Sequence, residues 1–215
     1  MGTREAMAPQ ITALTTHPAR PGRVRVYIDG VYTFELSRKA ILALKVVENE
    51  TLSSARRHEL EAIAAREAAI SLLARRERSR AELEIALKRK RFGPAIIAAA
   101  LDRLATEGMQ SDARFSNAWV ETRRRLSPRG HAALTYELKQ KGVADDDIHR
   151  AVARYKSADE RAALRDLIAA RLPRLVASGG DKQKIRQRLL GFLARRGFAY
   201  DDVYDVLRHD FPDLM

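Results

Sequence analysis

Cysteine is absent from the 215 residues, and that one absence removes disulfides, thiolate metal sites and cysteine nucleophiles together. A chain without thiols suits a reducing compartment, so a cytoplasmic location is expected. Long apolar runs are missing too. The longest is AIIAAAL, Ala95–Leu101, far short of the roughly 20 residues that a membrane-spanning helix needs. The first twenty residues hold Pro9 and Pro18 among polar side chains, without the apolar segment of a secretory signal. Enzyme signatures are wanting as well: GxSxG, HExxH, paired CxxC and the glycine-rich phosphate loop do not occur. The five histidines (His17, His58, His131, His149, His209) show no ligand spacing, so no metal or other cofactor is expected. Negative charge is the scarce sign, with 28 Asp and Glu against 40 Lys and Arg, for a net +12. That balance favours an anionic partner such as nucleic acid or a nucleoprotein.

What is present divides at about Thr51. VRVYI (Val24–Ile28) and VYTFEL (Val31–Leu36) are β-branched and aromatic runs joined by Asp29-Gly30. Asp-Gly between such runs predicts a hairpin, because a type I′ turn needs positive φ at both central residues. ITALT (Ile11–Thr15) can add a third strand, and Ser37 is placed to cap a short helix bearing Ala40, Ile41 and Leu44. From Ser53 or Ser54 to about Arg76, Leu60, Ile63, Ile70 and Leu73 follow a helical period. No convincing strand follows, and Gly93, Gly108, Gly142 and Gly197 punctuate a series of helices.

Those helices repeat. LKRKRFGPAII (Leu87–Ile97), LKQKGVADDDI (Leu138–Ile148) and LARRGFAYDDV (Leu193–Val203) align at offsets of 51 and 55 residues. Leu83, Leu134 and Leu189 correspond, as do Leu101, Val152 and Leu207 at the far end; Phe92, Val143 and Phe198 match between them. The reading is mainly α: tandem three-helix repeats in three copies, preceded by a small antiparallel β-hairpin module. The expected divisions are 1–52 for that module, then 53–110, 111–157 and 158–215 for the repeats. Gly142 and Gly197 fall where a helix ends with positive φ, a place taken by Arg91 in the first copy. Asp145, Asp146 and Asp147, like Asp201 and Asp202, fall on the next helix's first turn, where carboxylates cap free N–H groups and complement the macrodipole. A nuclease built on those aspartates would need partners, and the first copy has Pro94 and Ala95 there instead. Phe115, Trp119 and Thr122 share a helix face, which places Trp119 in the core.

Positive charge clusters at one element of each copy. Residues 75–91 are net +5 through Arg75, Arg76, Arg78, Arg80, Lys88, Arg89, Lys90 and Arg91. Residues 123–141 are net +5 through Arg123, Arg124, Arg125, Arg129, Lys139 and Lys141. Residues 182–196 are net +6 through Lys182, Lys184, Arg186, Arg188, Arg195 and Arg196. The rest of the chain is net −4. Stacked repeats would place these elements along one side as a basic track suited to an elongated polyanion.

DARFSNAWVETR (Asp112–Arg123) followed by YELKQKGV (Tyr136–Val143) resembles the RecX regulatory proteins, as does RRERSRAEL (Arg75–Leu83). YIDGVYTFEL is similar to the hairpin extension of that family's longer members. SPRGHAAL (Ser127–Leu134) departs from the family's usual Gly-Pro helix start. The resemblance covers essentially residues 10–210. It implies a non-enzymatic regulator in DNA repair and the SOS response, whose partner is the RecA recombinase filament on single-stranded DNA. Such proteins lodge in the filament groove and inhibit ATP turnover, strand exchange and repressor autocleavage. Direct, sequence-nonspecific DNA binding and a pure scaffold are the competing readings, and a monomer with no membrane contact is expected.

Overall fold

The structure is a computed structural model that describes residues 8–155 and 157–214. It separates into two compact units, which meet in sequence between Gln110 and Ser111.

In the first unit, strands β1 (Ile11–His17), β2 (Arg20–Ile28) and β3 (Val31–Ser37) form an antiparallel sheet in that order. The β2–β3 turn has φ of 50° at Asp29 and 78° at Gly30, the type I′ signature that Asp-Gly predicts. Ser37 caps α1 (Arg38–Ala43), its hydroxyl accepting from the Ala40 N–H at 3.0 Å. Alternation along β2 and β3 turns Val24, Val26, Ile28, Phe34 and Leu36 inward. Val26, Ile28, Phe34 and Leu36 are covered by Leu60 and Ala64 of α2 (Ser54–Leu73), so sheet and long helix share one core. Arg23 ties the same elements by an ion pair to Glu67 of α2 at 2.6 Å. On another face of α2, Ala65 and Ala69 let α3 (Arg80–Arg89) and α4 (Pro94–Thr106) approach closely, burying Leu83, Leu87, Ile97 and Leu101. Truncating any of these buried leucines costs about 2–5 kcal/mol.

The second unit holds two three-helix layers. Helices α5 (Asp112–Leu126), α6 (His131–Gln140) and α7 (Asp145–Ala153) enclose Phe115, Leu134, Leu138, Ile148 and Val152. Helices α8 (Ser157–Ala177), α9 (Lys182–Arg195) and α10 (Tyr200–Asp210), with a 3-10 turn at Pro212–Leu214, enclose Leu164, Ile168, Leu189, Leu193, Val203 and Leu207. The mainly α repeat architecture behind a small sheet is therefore the one read from the sequence. Every aligned apolar position is buried except Phe92, which is half-buried.

The three middle helices, α3, α6 and α9, end alike. Arg91, Gly142 and Gly197 have φ of 68°, 71° and 79°. In each case the next residue (Phe92, Val143, Phe198) donates back to Leu87, Leu138 or Leu193 at 3.2–3.3 Å. This is the helix-terminating turn that glycine favours; Arg91 adopts it despite its side chain.

One expectation needs correction. Asp145–Asp147 lie on the first turn of α7, but the cap is Ala144, with no side-chain hydrogen bond. Asp147 turns instead to Arg150 at 2.8 Å and Asp145 to Lys139 at 3.0 Å. The carboxylates complement the macrodipole without capping. Ala199 caps α10 in the same way, ahead of Asp201 and Asp202. Side-chain caps occur elsewhere, from Ser79 on α3, Ser111 on α5 and Asp181 on α9.

The departure SPRGHAAL finds its reason at the joint between α6 and α9. The Gly130 N–H donates to the Arg196 carbonyl at 2.9 Å. A Cβ on Gly130 would run into the Gly197 carbonyl, and one on Gly197 into Ala133. Only two glycines allow the backbones to meet here. The start of one middle helix thereby rests on the end of the next.

Candidate basic interface

The basic residues of the three segments fall into two kinds, those committed to internal bonds and those left in solvent. In the first segment, Arg76 pairs with Glu82 at 3.0 Å, Arg80 with Asp102 at 2.7 Å and Lys88 with Glu84 at 2.6 Å. Arg78 is half-buried, and burial, reinforced by nearby Arg76, holds its guanidinium below the usual value. Arg75, Arg89, Lys90 and Arg91 are exposed, and among the described residues no carboxylate pairs with them.

The second segment is built around Glu137. Its carboxylate accepts from Trp119 Nε1 at 2.9 Å and Arg123 Nε at 2.7 Å, and lies 3.3 Å from Arg129 Nε. The Arg123 guanidinium sits 4.6 Å from the Trp119 ring centre and the Lys141 ammonium 5.1 Å. Such cation–π contacts hold the two cations over the ring, and Arg123 is at the same time paired with Glu137. Trp119 is thus half-buried, one part against the core and another under cations, while Thr122 is exposed; the wholly internal face read from the sequence stops at Phe115. Arg124 pairs with Glu121 at 3.0 Å, and this bond raises its pKa. Arg125 is exposed and has no carboxylate partner among the described residues. Lys139 pairs with Asp145 on the surface, a contact of little energetic weight.

In the third segment, Lys182, Lys184 and Arg195 are exposed and Arg186 half-buried; none has a carboxylate partner among the described residues. Arg188 donates to the Ser178 hydroxyl at 3.2 Å. Arg196 serves the joint: it donates to the Pro128 carbonyl at 3.2 Å and lies 4.7 Å from the Phe192 ring centre. Burial, with Arg129 and Arg171 beside it, holds its guanidinium below the usual value. The joint therefore brings the second and third basic segments together at Arg129 and Arg196.

Lys139 and Arg195 lie in the last turns of their helices, where cations complement the macrodipole whatever else they do. Lys182 and Lys184 lie on the first turn of α9, where the dipole opposes them. Helix stability gives no reason for those two lysines.

A further set of cations escaped the sequence reading. Arg20 and Arg23 of β2 line a cavity with Arg75 and Lys90 of the first segment, and Arg25 lies beside Tyr27 and Tyr32. The alternation in RVRVYI carried the signal, since it sets Arg23, Arg25 and Tyr27 on the face opposite Val24, Val26 and Ile28. Among the described residues no cluster of acids and histidines is placed to hold a metal ion, and no helix is long and apolar enough to cross a membrane.

Comparison with known proteins gives this arrangement its family. The model for the first three-helix domain of RecX matches residues 65–104, that for the second 111–152 and that for the third 159–207. A regulatory protein RecX of Thermobifida fusca is 37% identical over 147 residues, covering 68% of this chain and 78% of its own. That of Amycolatopsis mediterranei is 35% identical over 149 residues, covering 69% and 84%. Among solved structures, a regulatory protein RecX superposes with a TM-score of 0.60 at 18% identity, over 93% of this chain and 98% of that one. RecX from Lactobacillus salivarius gives 0.62 at 20% identity, over 72% and 98%. These likenesses in fold agree with the three helical layers, the sequence relatives extend them to a regulatory role, and the chain belongs to the RecX family of regulatory proteins.

Proposed function

We propose that this chain binds the RecA recombinase filament on single-stranded DNA, seats its helical layers in the filament groove, and slows ATP turnover, strand exchange and repressor cleavage. The observation that carries the reading is the recurrence of basic charge at the middle helix or its entry in all three domains, with exposed cations that no carboxylate among the described residues pairs: Arg89, Lys90 and Arg91 in the first, Arg125 in the second, Lys182, Lys184 and Arg195 in the third. Lys182 and Lys184 weigh most, because they stand where helix electrostatics disfavour them. Basic charge repeated on each three-helix layer suits a groove lined by nucleoprotein, and contact with many phosphates or acidic side chains gives affinity that falls with salt. The protein acts by occupancy, without catalysis or a cofactor, as a cytoplasmic monomer.

Parallel sedimentation with recombinase filaments, bare single-stranded DNA and free recombinase tests this. Co-sedimentation with filaments, together with slowed DNA-dependent ATP hydrolysis at substoichiometric protein, is the expected result. Unchanged ATP turnover across the titration would remove the proposal. Direct, nonspecific DNA binding is the second reading, favoured by a surface offering mostly Lys and Arg for phosphate and few side chains able to read bases. It predicts equal sedimentation with bare DNA.

A further inference from the structure

We infer that the outward face of the N-terminal sheet, with the cavity at its β3 edge, binds unpaired nucleotides directly. A register shift between Val26 and Tyr27 pairs Tyr27 with Tyr32, although Val26 pairs with Phe34. The extra residue, Thr33, is what brings Tyr32 opposite Tyr27; bulges commonly re-aim a side chain in this way. The two rings meet edge to face, centres 5.9 Å apart. Tyr32 is 45% exposed, an expensive way to use an aromatic ring that packing does not require.

Around these rings the charge is one-sided. Arg25 shares their surface and has no carboxylate partner among the described residues. At the β3 edge a cavity of about 190 Å³ is walled by Arg20, Arg23, Tyr32, Arg75, Lys90 and Phe92, among others. Glu35 is the acidic residue in both places, and it is already engaged by Arg20 at 3.0 Å and Arg23 at 3.9 Å. Glu67 likewise takes Arg23 at 2.6 Å. Five cations thus face two carboxylates. Arg23 Nε is buried without a hydrogen-bond partner.

An exposed ring, Tyr32, beside the half-buried Tyr27 and flanked by unneutralised cations is the chemistry of a single-strand platform: bases stack on rings and phosphates meet the cations. A duplex hides its base faces and an acidic peptide has none, so the tyrosine pair favours unpaired nucleic acid over both. The inference deepens the proposed function by naming where the DNA strand itself is touched, and it rests on that reading only for its setting in the filament.

The test uses the full chain without recombinase and reads anisotropy of a fluorescein-labelled oligo-dT of about 15 nucleotides, a length within single-strand site sizes. Tyr27→Ala with Tyr32→Ala should weaken binding about tenfold or more with an unchanged salt slope, and Phe at both positions should restore it. Arg75→Glu with Lys90→Glu should weaken binding and flatten the salt slope. Unaltered thermal melts establish that each variant folds. The inference fails if wild type does not bind the oligonucleotide, or if both pairs of substitutions leave affinity intact. It also fails if blunt duplex or poly-glutamate of equal charge competes equally well. A tyrosine variant that loses the oligonucleotide yet still slows the recombinase leaves the filament reading standing. Wild type that binds oligo-dT but leaves the recombinase untouched removes only that reading.

Discussion

The Glu160 carboxylate accepts from the backbone N–H of His131 at 3.1 Å and lies 2.9 Å from the same residue's Nδ1. An acid from one three-helix layer thus closes the open N-terminus of a helix in the other, where Gly130 supplies no side-chain cap. The ring's other nitrogen, Nε2, lies 2.9 Å from the Tyr155 carbonyl oxygen.

Burial raises the Glu160 pKa above the ordinary carboxylate range, and His131 only partly counters it. The native state therefore holds a proton on Glu160 more tightly than the unfolded chain does. The associated stability is present below the unfolded pKa and lost as pH rises through the higher folded one. Glu160→Gln keeps an acceptor for His131 and removes the titration. Wild type should accordingly gain stability relative to this variant as pH falls from 7 towards about 4.3, the unperturbed glutamate value. Denaturant melts across that range measure it, and parallel curves for the two proteins would contradict it.

The glycine pair at the α6–α9 joint makes a sharper steric prediction. Gly130→Ala should cost about 1–3 kcal/mol, as overpacking does, because its methyl would run into the backbone of Gly197 and Phe198, which cannot swing aside. Gly191→Ala, inside α9 and facing only the end of the Arg195 side chain, should stabilise by roughly 0.5–1 kcal/mol. Opposite shifts of the urea midpoint are the expected outcome.

Arg91 separates stability from binding. Its φ of 68° is strained for any residue with a Cβ, so Arg91→Gly should stabilise the first unit by about 0.5–1 kcal/mol after the entropic cost of glycine. Filament affinity should fall nonetheless. Arg91→Ala should lower affinity equally without the gain in stability. Equal affinity in all three proteins would show Arg91 to be a solvated charge only.

Charge reversal should distinguish free cations from committed ones. Glu at Arg125, Lys182 and Lys184 should alter stability within about 0.5 kcal/mol per site and reduce both filament affinity and its salt slope. At Lys182 and Lys184 the reversal should even favour α9 slightly, since acids suit a helix start. Arg123→Glu differs, because it sets a second carboxylate against Glu137 and removes a partner of Trp119. A lowered thermal midpoint for that variant alone, beside normal melts for the others, is expected.

Much of this molecule could be read before it was seen, and what could be read was local or periodic. Asp29-Gly30 announces its turn in two adjacent residues, and the leucines at 83, 134 and 189 announce a repeat by register. The joint was hidden, because Gly130 and Gly197 lie 67 positions apart and nothing in SPRGHAAL says which backbone comes close. Glu160 was hidden for the same reason. Tyr32 reached its face through a bulge that strict alternation does not foresee. The aspartates after Gly142 were placed correctly but given one bond too many: a first-turn carboxylate sits in the helix field whether or not it reaches back to an N–H. The basic segments were legible as charge, whereas the division into free and committed cations depended on partners such as Glu137 and Asp102, which only folding brings near.

The core shared by the sheet and α2 bears on how the chain is made. A ribosome releases the strands before Leu60 and Ala64 exist to cover them, and at roughly 5–20 residues per second the uncovered interval lasts seconds. Until α2 emerges, Val26, Phe34 and Leu36 have no lid, and a three-stranded sheet with a bare apolar face is marginal in water. Once Gln110 is clear, everything the first unit buries has been synthesised. The N-terminal unit can therefore finish folding while the second is still being translated, so that a nascent chain arrested after Gln110 should already resist protease.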